Sequence, residues 1–442
     1  MTWYLEDGAS VVAVTSLSKN KVDYTGSFFP NGYFNELNAD YEAAGLAGYQ
    51  NRVNNPYSST FKQASQEIRY MSAPDAPIKW LAGAYGEYSD SQRAYTATST
   101  FDPAMGIGDG VTQTSRGQTK TTSFAVFSDA SFAATDKLEI FGGLRIGHDK
   151  KKFDYDFSVD NPAWTALGMD AGFVTAQRET LSTTYAVPRI GVRYQLTDDT
   201  QTYASVSRGF KSGGFNIGFV QKGDERPYKN ESLVSYQIGL KSELIKNVLS
   251  LDTALFYIDR KNQQVQTYNA LTQTTPVANA PKSRSLGGEV TLKAQLDEHW
   301  SGYAGLGYTD ATYVKFENAP ATGTTGVVDA SGKQQQFVSR YTGKLGAAYA
   351  WDIGAYNLKG RGDLGYQYRS SFYFDQSNTQ KQGGYGLVNA RLSVGNNEYE
   401  GYVWGENLSN ERYRTSAADF GYGRLVTVGN PRTFGVGVSK TF

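Results

Sequence analysis

The chain of 442 residues has no cysteine, only two histidines, 12 prolines and four methionines. Without cysteine there are no disulfides, no thiolate nucleophile and no thiolate-ligated metal. Two histidines without ligand spacing do not predict a transition-metal site built by the protein. A Gly-x-Ser-x-Gly elbow and a phosphate-binding Gly-x-x-x-x-Gly-Lys-Ser/Thr loop are also missing. We therefore predict no cofactor, no protein-bound metal and no enzymatic activity.

The sequence also lacks an excess of one charge and any long apolar run. Lys and Arg number 43, as do Asp and Glu, so the formal net charge is zero. A nucleic-acid partner would require a basic excess and is not predicted. No stretch approaches the roughly 18 apolar residues of a membrane-spanning helix. The first residues lack the basic region and apolar core of a secretory signal.

Aromatic residues and glycine, in contrast, are abundant. The chain contains 32 tyrosines, 23 phenylalanines and 48 glycines. Tyrosine is enriched where a membrane meets water, and glycine suits strands that bend around a barrel.

Most segments alternate apolar and polar residues with a period of two, as strands with two different faces do. In 284–295, for example, Leu286 and Val290 share one face, and Glu289 and Lys293 share the other. Counting such segments predicts sixteen strands, at 8–18, 61–72, 78–90, 118–132, 137–150, 181–196, 200–211, 231–243, 248–260, 284–295, 299–310, 339–351, 356–369, 384–394, 398–407 and 431–442.

The connections between these segments alternate in length. Seven are short and polar, at 72–77, 133–137, 196–200, 244–247, 295–299, 351–355 and 394–397. Eight are long, at 19–60, 91–117, 151–180, 212–230, 261–283, 311–338, 370–383 and 408–430. Outer-membrane barrels have short periplasmic turns and longer extracellular loops. The rhythm predicts an all-β fold, a transmembrane antiparallel β-barrel with the short turns in the periplasm.

A soluble all-β protein would show the same alternation and is the alternative fold. Connections so unequal at the two ends are unusual in soluble sandwiches. Trp80, Trp300 and Trp351 all lie beside short turns, as the rings of an interfacial belt would. The chain ends in an alternating segment with Phe434 and a terminal Phe442, which resembles the closing strand of bacterial outer-membrane proteins. These features favour the membrane barrel.

Three lysines, Lys150, Lys151 and Lys152, follow one predicted strand at its outer end. Apolar residues occupy even positions before them and odd positions after them, which predicts a β-bulge at the lysines. Clustered cations would suit the phosphates of lipopolysaccharide. A solvated rim, on a strand that extends beyond the membrane, is the other interpretation.

Four segments resemble TonB-dependent outer-membrane receptors of the iron-complex type. The first, 203–216, reads Tyr-Ala-Ser-Val-Ser-Arg-Gly-Phe-Lys-Ser-Gly-Gly-Phe-Asn. The others are Ser-Gln-Glu-Ile-Arg at 65–69 leading to Trp-Leu-Ala-Gly-Ala-Tyr at 80–85, Asn-Leu-Ser-Asn-Glu-Arg-Tyr at 407–413, and Pro-Arg-Thr-Phe-Gly-Val-Gly-Val at 431–438. They span essentially the whole chain in the family's order.

The resemblance implies a receptor of the Gram-negative outer membrane, with a 22-stranded barrel, a plug in its lumen and a TonB box. Such receptors take up scarce nutrients, most often ferric siderophore complexes, with energy relayed by the TonB complex. Residues 1–442 are then expected to be the C-terminal barrel portion, without a plug domain, so that TonB would act only through the absent plug and TonB box. Expected partners are outer-membrane lipid, lipopolysaccharide and an extracellular metal-chelate.

Two other functions would explain some of these features. A passive 16-stranded porin would match the strand count. A non-functional receptor fragment would match the absent plug.

Aromatic and cationic side chains of the long loops are the predicted ligand contacts. Rigid aromatics with nearby cations can bind an amphipathic, anionic chelate by stacking and by charge. The same aromatics could instead pack the loops, and the cations could pair with rim carboxylates. The predicted residues are Arg208, Lys211, Phe215, Tyr228, Tyr373, Phe374, Tyr385 and Tyr422.

Overall fold

Most of the residues that the structure describes form β-strands. This structure, a computed structural model, describes residues 1–26, 55–99, 110–166, 168, 170–218, 220, 222, 227–266, 276–321, 326–354, 357–419 and 424–441. The one α-helix among them, α1, spans only Pro162–Ala166. No helix in these ranges is long and apolar enough to cross a membrane.

The strands follow one another along the chain with few interruptions. They are β1 Thr2–Tyr4, β2 Ser10–Gly26, β3 Asn55–Met71, β4 Ile78–Ser99, β5 Val111–Ala133, β6 Leu138–Asp160, β7 Ala176–Thr197, β8 Thr200–Lys211, β9 Glu231–Ile245, β10 Leu249–Gln266, β11 Val277–Gln295, β12 Trp300–Lys315, β13 Ala319–Pro320, β14 Val327–Val328, β15 Tyr341–Asp352, β16 Lys359–Arg369, β17 Phe372–Tyr373, β18 Lys381–Gln382, β19 Tyr385–Gly395, β20 Tyr399–Glu406, β21 Arg414–Asp419, β22 Arg424–Val428 and β23 Thr433–Lys440.

Seventeen of these strands form one antiparallel sheet, in which each strand pairs with the next sheet strand along the chain. The sheet contains the sixteen predicted strands and, in addition, the short β1, which pairs with the start of β2. Three hairpins, β13–β14, β17–β18 and β21–β22, stand outside it in the long loops. The predicted all-β antiparallel architecture is confirmed.

Local hydrogen bonds explain why the short turns are tight. In the turn between β11 and β12, Asp297 Oδ1 accepts from the backbone nitrogens of His299 and Trp300, at 2.8 and 2.6 Å. These two donors hold the pKa of Asp297 below its usual value. Asn396 plays the same part before β20, where its Oδ1 accepts from the nitrogens of Glu398 and Tyr399. Such Asx turns require few residues.

We call the part of the sheet near the short turns the short-turn half. Its outer face is apolar. Leu255 and Leu306 point outwards with 61% and 67% of their surface exposed. The inner face carries ion pairs instead, such as Arg361 with Asp363 at 2.7 Å and Arg391 with Glu400 at 2.8 Å. An apolar outside around a polar inside is the arrangement of a membrane barrel.

The edges of the sheet are β1 with the remainder of β2 on one side and β23 on the other. Within the described ranges, β23 pairs with β20 alone, and no pairing joins it to β1 or β2. A closed 16-stranded porin would need that pairing, because lipid cannot satisfy an open strand edge. The geometry therefore suits a larger barrel better than a closed sixteen-stranded one.

The predicted bulge at Lys150–Lys152 is wrong. The pairing of β6 with β5 and with β7 runs through these lysines without a shift in register. Lys150 and Lys152 are exposed on the outer face, and Lys151 points inwards. The apolar residues change face because the surroundings of the strand change, and not because the strand is kinked.

Candidate functional site

Beyond the lysines, in what we call the long-loop half of the sheet, the polarity of β6 is reversed. Phe153 and Tyr155 on the inner face are buried, with 3% and 1% of their surface exposed. They form a cluster with Phe157, Phe215 and Val220. The intervening Asp154 and Asp156 are exposed on the outer face. The inner face here therefore forms a hydrophobic core, which is covered by loop residues that pack against it.

The cover is the segment that follows β8. Ser115 Oγ and Tyr155 Oη both donate to the carbonyl oxygen of Gly218, at 2.8 and 2.7 Å. Beneath it, Gly117 leaves room for Ile217, because a Cβ at this position would lie 2.9 Å from the Ile217 side chain and force it to shift. On the other side, the backbone nitrogen of Val277 donates to Asn216 Oδ1 at 2.9 Å. The segment is thus fixed to β5 and β6 on one side and to β11 on the other.

A second core lies under the loops of β10 to β12. Its buried members include Val265, Tyr313 and Phe316. Arg260 and Glu231 form an ion pair at 3.3 Å, with only 17% and 15% of their side-chain surface exposed. The buried Gln335 donates from Nε2 to the carbonyl oxygen of Arg284 at 3.0 Å, which attaches the loop before β15 to β11. These contacts order the loops from the inside.

The third group lies on the β17–β18 hairpin. Phe372 and Phe374 are buried edge to face, with ring centroids 5.2 Å apart. Asp375 closes the hairpin, since its Oδ1 accepts from the nitrogens of Thr379 and Gln380 at 3.0 and 2.8 Å. The hairpin is therefore built as a rigid platform.

Three cations lie close to the aromatic rings of this platform. The Arg369 guanidinium lies 4.3 Å from the Phe372 ring centre, and Arg414 lies 5.9 Å from that of Phe374. Lys381, which is exposed, lies 5.8 Å from the ring centre of half-buried Tyr373. Arg414 Nη2 also donates to the Lys381 carbonyl oxygen at 2.6 Å. We call Tyr373, Lys381 and Arg414 the hairpin patch.

Four of the predicted aromatic contacts are described, apart from Tyr373. Phe215 and Phe374 are buried, and Phe215 stacks on Phe153 with ring centroids 4.5 Å apart. Tyr228 is half-buried over Gly214, and burial raises the pKa of its phenol. Tyr385 stacks on Tyr413 at 4.4 Å. These rings support the loops, and their contact with a ligand remains a prediction.

The two predicted cations lie apart from the hairpin patch. Arg208 is exposed on the same face of β8 as the outward Val206, away from the lumen. Lys211 is exposed at the end of β8. Tyr422 lies outside the described residues. A role for these three residues in ligand binding stays a prediction.

Sequence reasoning missed a concave basin in the short-turn half of the inner face. It measures about 1010 Å³ and crosses β11, β12, β15, β16, β19 and β20. Lys293, Lys344, Arg361 and Arg391 line it, together with Asp363. These residues come from separate strands, so only the register of the sheet reveals the basin.

The two histidines have local partners. His148 Nδ1 lies 2.8 Å from Thr184 Oγ1, and His299 Nδ1 lies 2.9 Å from the Ala350 carbonyl oxygen. Within the described ranges, no group of three or more His, Asp or Glu side chains is placed to hold a metal ion.

Comparison with protein families identifies the architecture. A family model described as "TonB dependent receptor-like, beta-barrel" matches residues 3–409. The chain belongs to the TonB-dependent receptor family. It is accordingly an outer-membrane β-barrel of the Gram-negative type.

Curated relatives of this TonB-dependent receptor chain are themselves named as receptors. The pesticin receptor of Yersinia pestis is 25% identical over 383 residues, which are 86% of this chain and 52% of the relative. The metal-pseudopaline receptor CntO of Pseudomonas aeruginosa is 29% identical over 170 residues, or 38% of this chain and 21% of the relative. The chain thus spans about half the length of the pesticin receptors it matches.

Solved structures share the fold. The ferric yersiniabactin uptake receptor FyuA from Yersinia pestis superposes with a TM-score of 0.75 at 21% identity, covering 98% of this chain and 59% of FyuA. The ferric citrate transporter FecA in its unliganded form superposes with a TM-score of 0.64 at 16% identity, covering 100% of this chain and 60% of FecA. At these identities the likeness shows a common fold.

Proposed function

We propose that residues 1–442 form the barrel portion of a TonB-dependent receptor that takes up an anionic metal chelate, most simply a ferric siderophore. The observation that supports this cargo is the hairpin patch, where the partly exposed ring of Tyr373 lies beside Lys381 and Arg414 binds the Lys381 carbonyl oxygen. The names of the relatives support the same class, since they include uptake receptors for ferric complexes.

The chemistry of a chelate suits this patch. In a ferric siderophore the organic chelator supplies every ligand of the iron, so the protein needs no metal site of its own. Recognition then depends on the surface of the complex, which is anionic and often aromatic. A ring can stack against it, and cations at the ring edge can attract its charge. The rigid hairpin below reduces the entropy that binding would cost.

The basin in the short-turn half has a different proposed role. Its wall carries four cations, and its ion pairs leave polar groups facing the lumen. We propose that the family's plug packs against this wall and that TonB acts through the plug. Outer-membrane lipid, including lipopolysaccharide, would surround the apolar outer face.

Binding of ferric chelates to the full-length protein in detergent tests the proposed function. The double variant Tyr373→Ala, Lys381→Gln should bind its chelate about tenfold more weakly, because it loses one stacking ring and one cation. Tyr341→Ala is the matched control, since Tyr341 is an exposed aromatic on the outer face beside Tyr308. Tryptophan fluorescence quenching across a panel of ferric siderophores would measure the dissociation constants.

Growth on each ferric siderophore as sole iron source gives the second measurement. A strain without other receptors should grow on at least one chelate when it produces the wild-type protein. Growth on none of them would refute the cargo class. Unchanged affinity of the double variant would remove the hairpin patch from the site while leaving the cargo class standing.

A further inference from the structure

A row of lysines crosses the outer face of β2 to β6. Lys19 lies directly opposite Lys62, and Lys62 lies opposite Asp90 on β4. Asp90 in turn lies opposite Lys120, which lies opposite Lys152. Lys150 is the outer-face residue next to Lys152 on β6, and all five lysines are exposed. We call Lys19, Lys62, Lys120, Lys150 and Lys152 the lysine row.

The lysine row lies at the border of the apolar outer face that is nearer to the long loops. Leu17 and Tyr88 are large exposed residues of that face, and each is followed two positions later by a member of the row or by Asp90. Two residues of extended strand correspond to about 7 Å. The row thus lies just beyond the apolar band, at the level expected for the headgroups of the outer leaflet.

The row is costly for the protein taken alone. Two of its pairs, Lys19 with Lys62 and Lys120 with Lys152, place like charges directly opposite each other, which is unfavourable. Only Lys62 and Lys120 lie opposite a carboxylate, that of Asp90. Both oxygens of that carboxylate already accept from Gln118 Nε2, at 2.8 and 2.9 Å.

The other nearby carboxylates are already paired. Arg178 binds Asp154 at 2.7 Å and Asp156 at 3.2 Å, and Lys21 binds Asp23 at 2.7 Å. Within the described residues no member of the lysine row forms an ion pair. An anion from outside the protein would therefore relieve the repulsion.

We propose that the lysine row binds the phosphate groups of a lipopolysaccharide molecule in the outer leaflet. Lysine is a mobile point charge and suits phosphates held at varied angles. The row extends over five adjacent strands, which are about 4.8 Å apart, so it can contact two phosphates of one glycolipid. The inference needs only the outer-membrane location and is independent of the cargo.

Co-purification of lipid with the full-length protein tests this site. The triple variant Lys62→Gln, Lys120→Gln, Lys152→Gln, extracted from outer membranes in mild detergent, should retain about one lipopolysaccharide fewer per chain than wild type. Re-binding of purified lipopolysaccharide should weaken by about tenfold, as for three exposed charge contacts. Native mass spectrometry and an assay for the glycolipid's core sugar would quantify both.

Two controls isolate the role of charge. Lys137→Gln, Lys246→Gln, Lys359→Gln removes three exposed lysines at the short-turn end and should leave the bound lipid unchanged. The arginine version of the row variant keeps the charges and should retain the lipid. Heat-modifiable migration on gels verifies that each variant is folded.

Three results would overturn the proposal. The first is wild-type lipid content in the folded glutamine variant. The second is an equal loss in the short-turn control. The third is equally tight binding of an anionic phospholipid, phosphatidylglycerol in nanodiscs, which would refute the glycolipid as the occupant.

Discussion

The two halves of strand β6 have opposite polarity, although one unbroken strand connects them. In the short-turn half, Ile146 points outwards and Arg145 inwards. In the long-loop half, Asp156 points outwards and Tyr155 is buried inside. Outside, lipid is replaced by water, while inside, water is replaced by folded loops. A strand with a strict period of two can therefore have its apolar residues on the outer face in one half and on the inner face in the other, without a bulge. This requires that the environments of both faces change at the same height along the strand.

If the two halves differ in this way, the aromatic residues on the inner face of the long-loop half should behave as core residues. Phe153→Ala should destabilise the docked segment after β8 by about 3–5 kcal/mol, because a large buried ring is lost. Limited proteolysis and amide hydrogen exchange of residues 212–220 would measure it. Asp154→Ala, one residue along on the exposed outer face, is the control and should leave exchange unchanged. Equal effects of the two would contradict the reversal of faces.

The second prediction concerns a charge on the outer face. Leu306→Arg should destabilise the barrel by about 2–4 kcal/mol, because Leu306 faces lipid. Urea unfolding of the full-length protein in lipid vesicles would measure the loss. Ser158→Arg places the same charge on the outer face of the long-loop half and should change stability by less than about 0.5 kcal/mol. A cost of similar size at both positions would mean that no change from lipid to water occurs along the outer face.

The smallest effect is expected at a short turn and depends on pH. Asp297 has a pKa lowered by its backbone donors. Its contribution to stability is therefore fully present above the unfolded pKa, near 3.8, and is lost as the pH falls through the lower folded value. Asp297→Ala should be less stable than wild type at pH 7, and the difference should vanish in strong acid.

Urea unfolding at several pH values would test this turn. Asp297→Asn keeps an oxygen acceptor and should lose the pH dependence but retain part of the stability. Glu298→Ala changes a neighbouring exposed carboxylate and serves as the control. A pH-independent difference between wild type and Asp297→Ala would show that the turn does not depend on the charge.

Sequence periodicity predicted the sixteen long strands and the short turns, because both depend on neighbours within a few residues. It missed β1, whose three residues are too few to show a period. It also ended the strands too early, at 90 for β4 and 150 for β6, where they continue to Ser99 and Asp160. In those extensions the apolar residues lie on the inner face instead of the outer face. A prediction that expects apolar residues on the lipid-facing side therefore assigns these extensions to loops.

The candidate sites were less accessible to sequence reasoning. Loop aromatics such as Phe215 and Tyr373 look alike in the sequence, yet Phe215 is buried beneath its own segment and Tyr373 is half-exposed beside Lys381. The difference arises from contacts with strands far away in the chain. The sequence shows Lys150 and Lys152 as part of one run, but only the register of the sheet places Lys19, Lys62 and Lys120 beside them.

The sequence by itself determined the sixteen long strands, the alternation of short and long connections and the family, because each depends on local order. The tertiary structure alone decided which face is inside above the membrane, which loop aromatics are core, and which lysines stand side by side. These features depend on cross-strand register and loop docking, which bring together residues that are tens to more than a hundred positions apart. Period and turn chemistry carry no information about such distant partners.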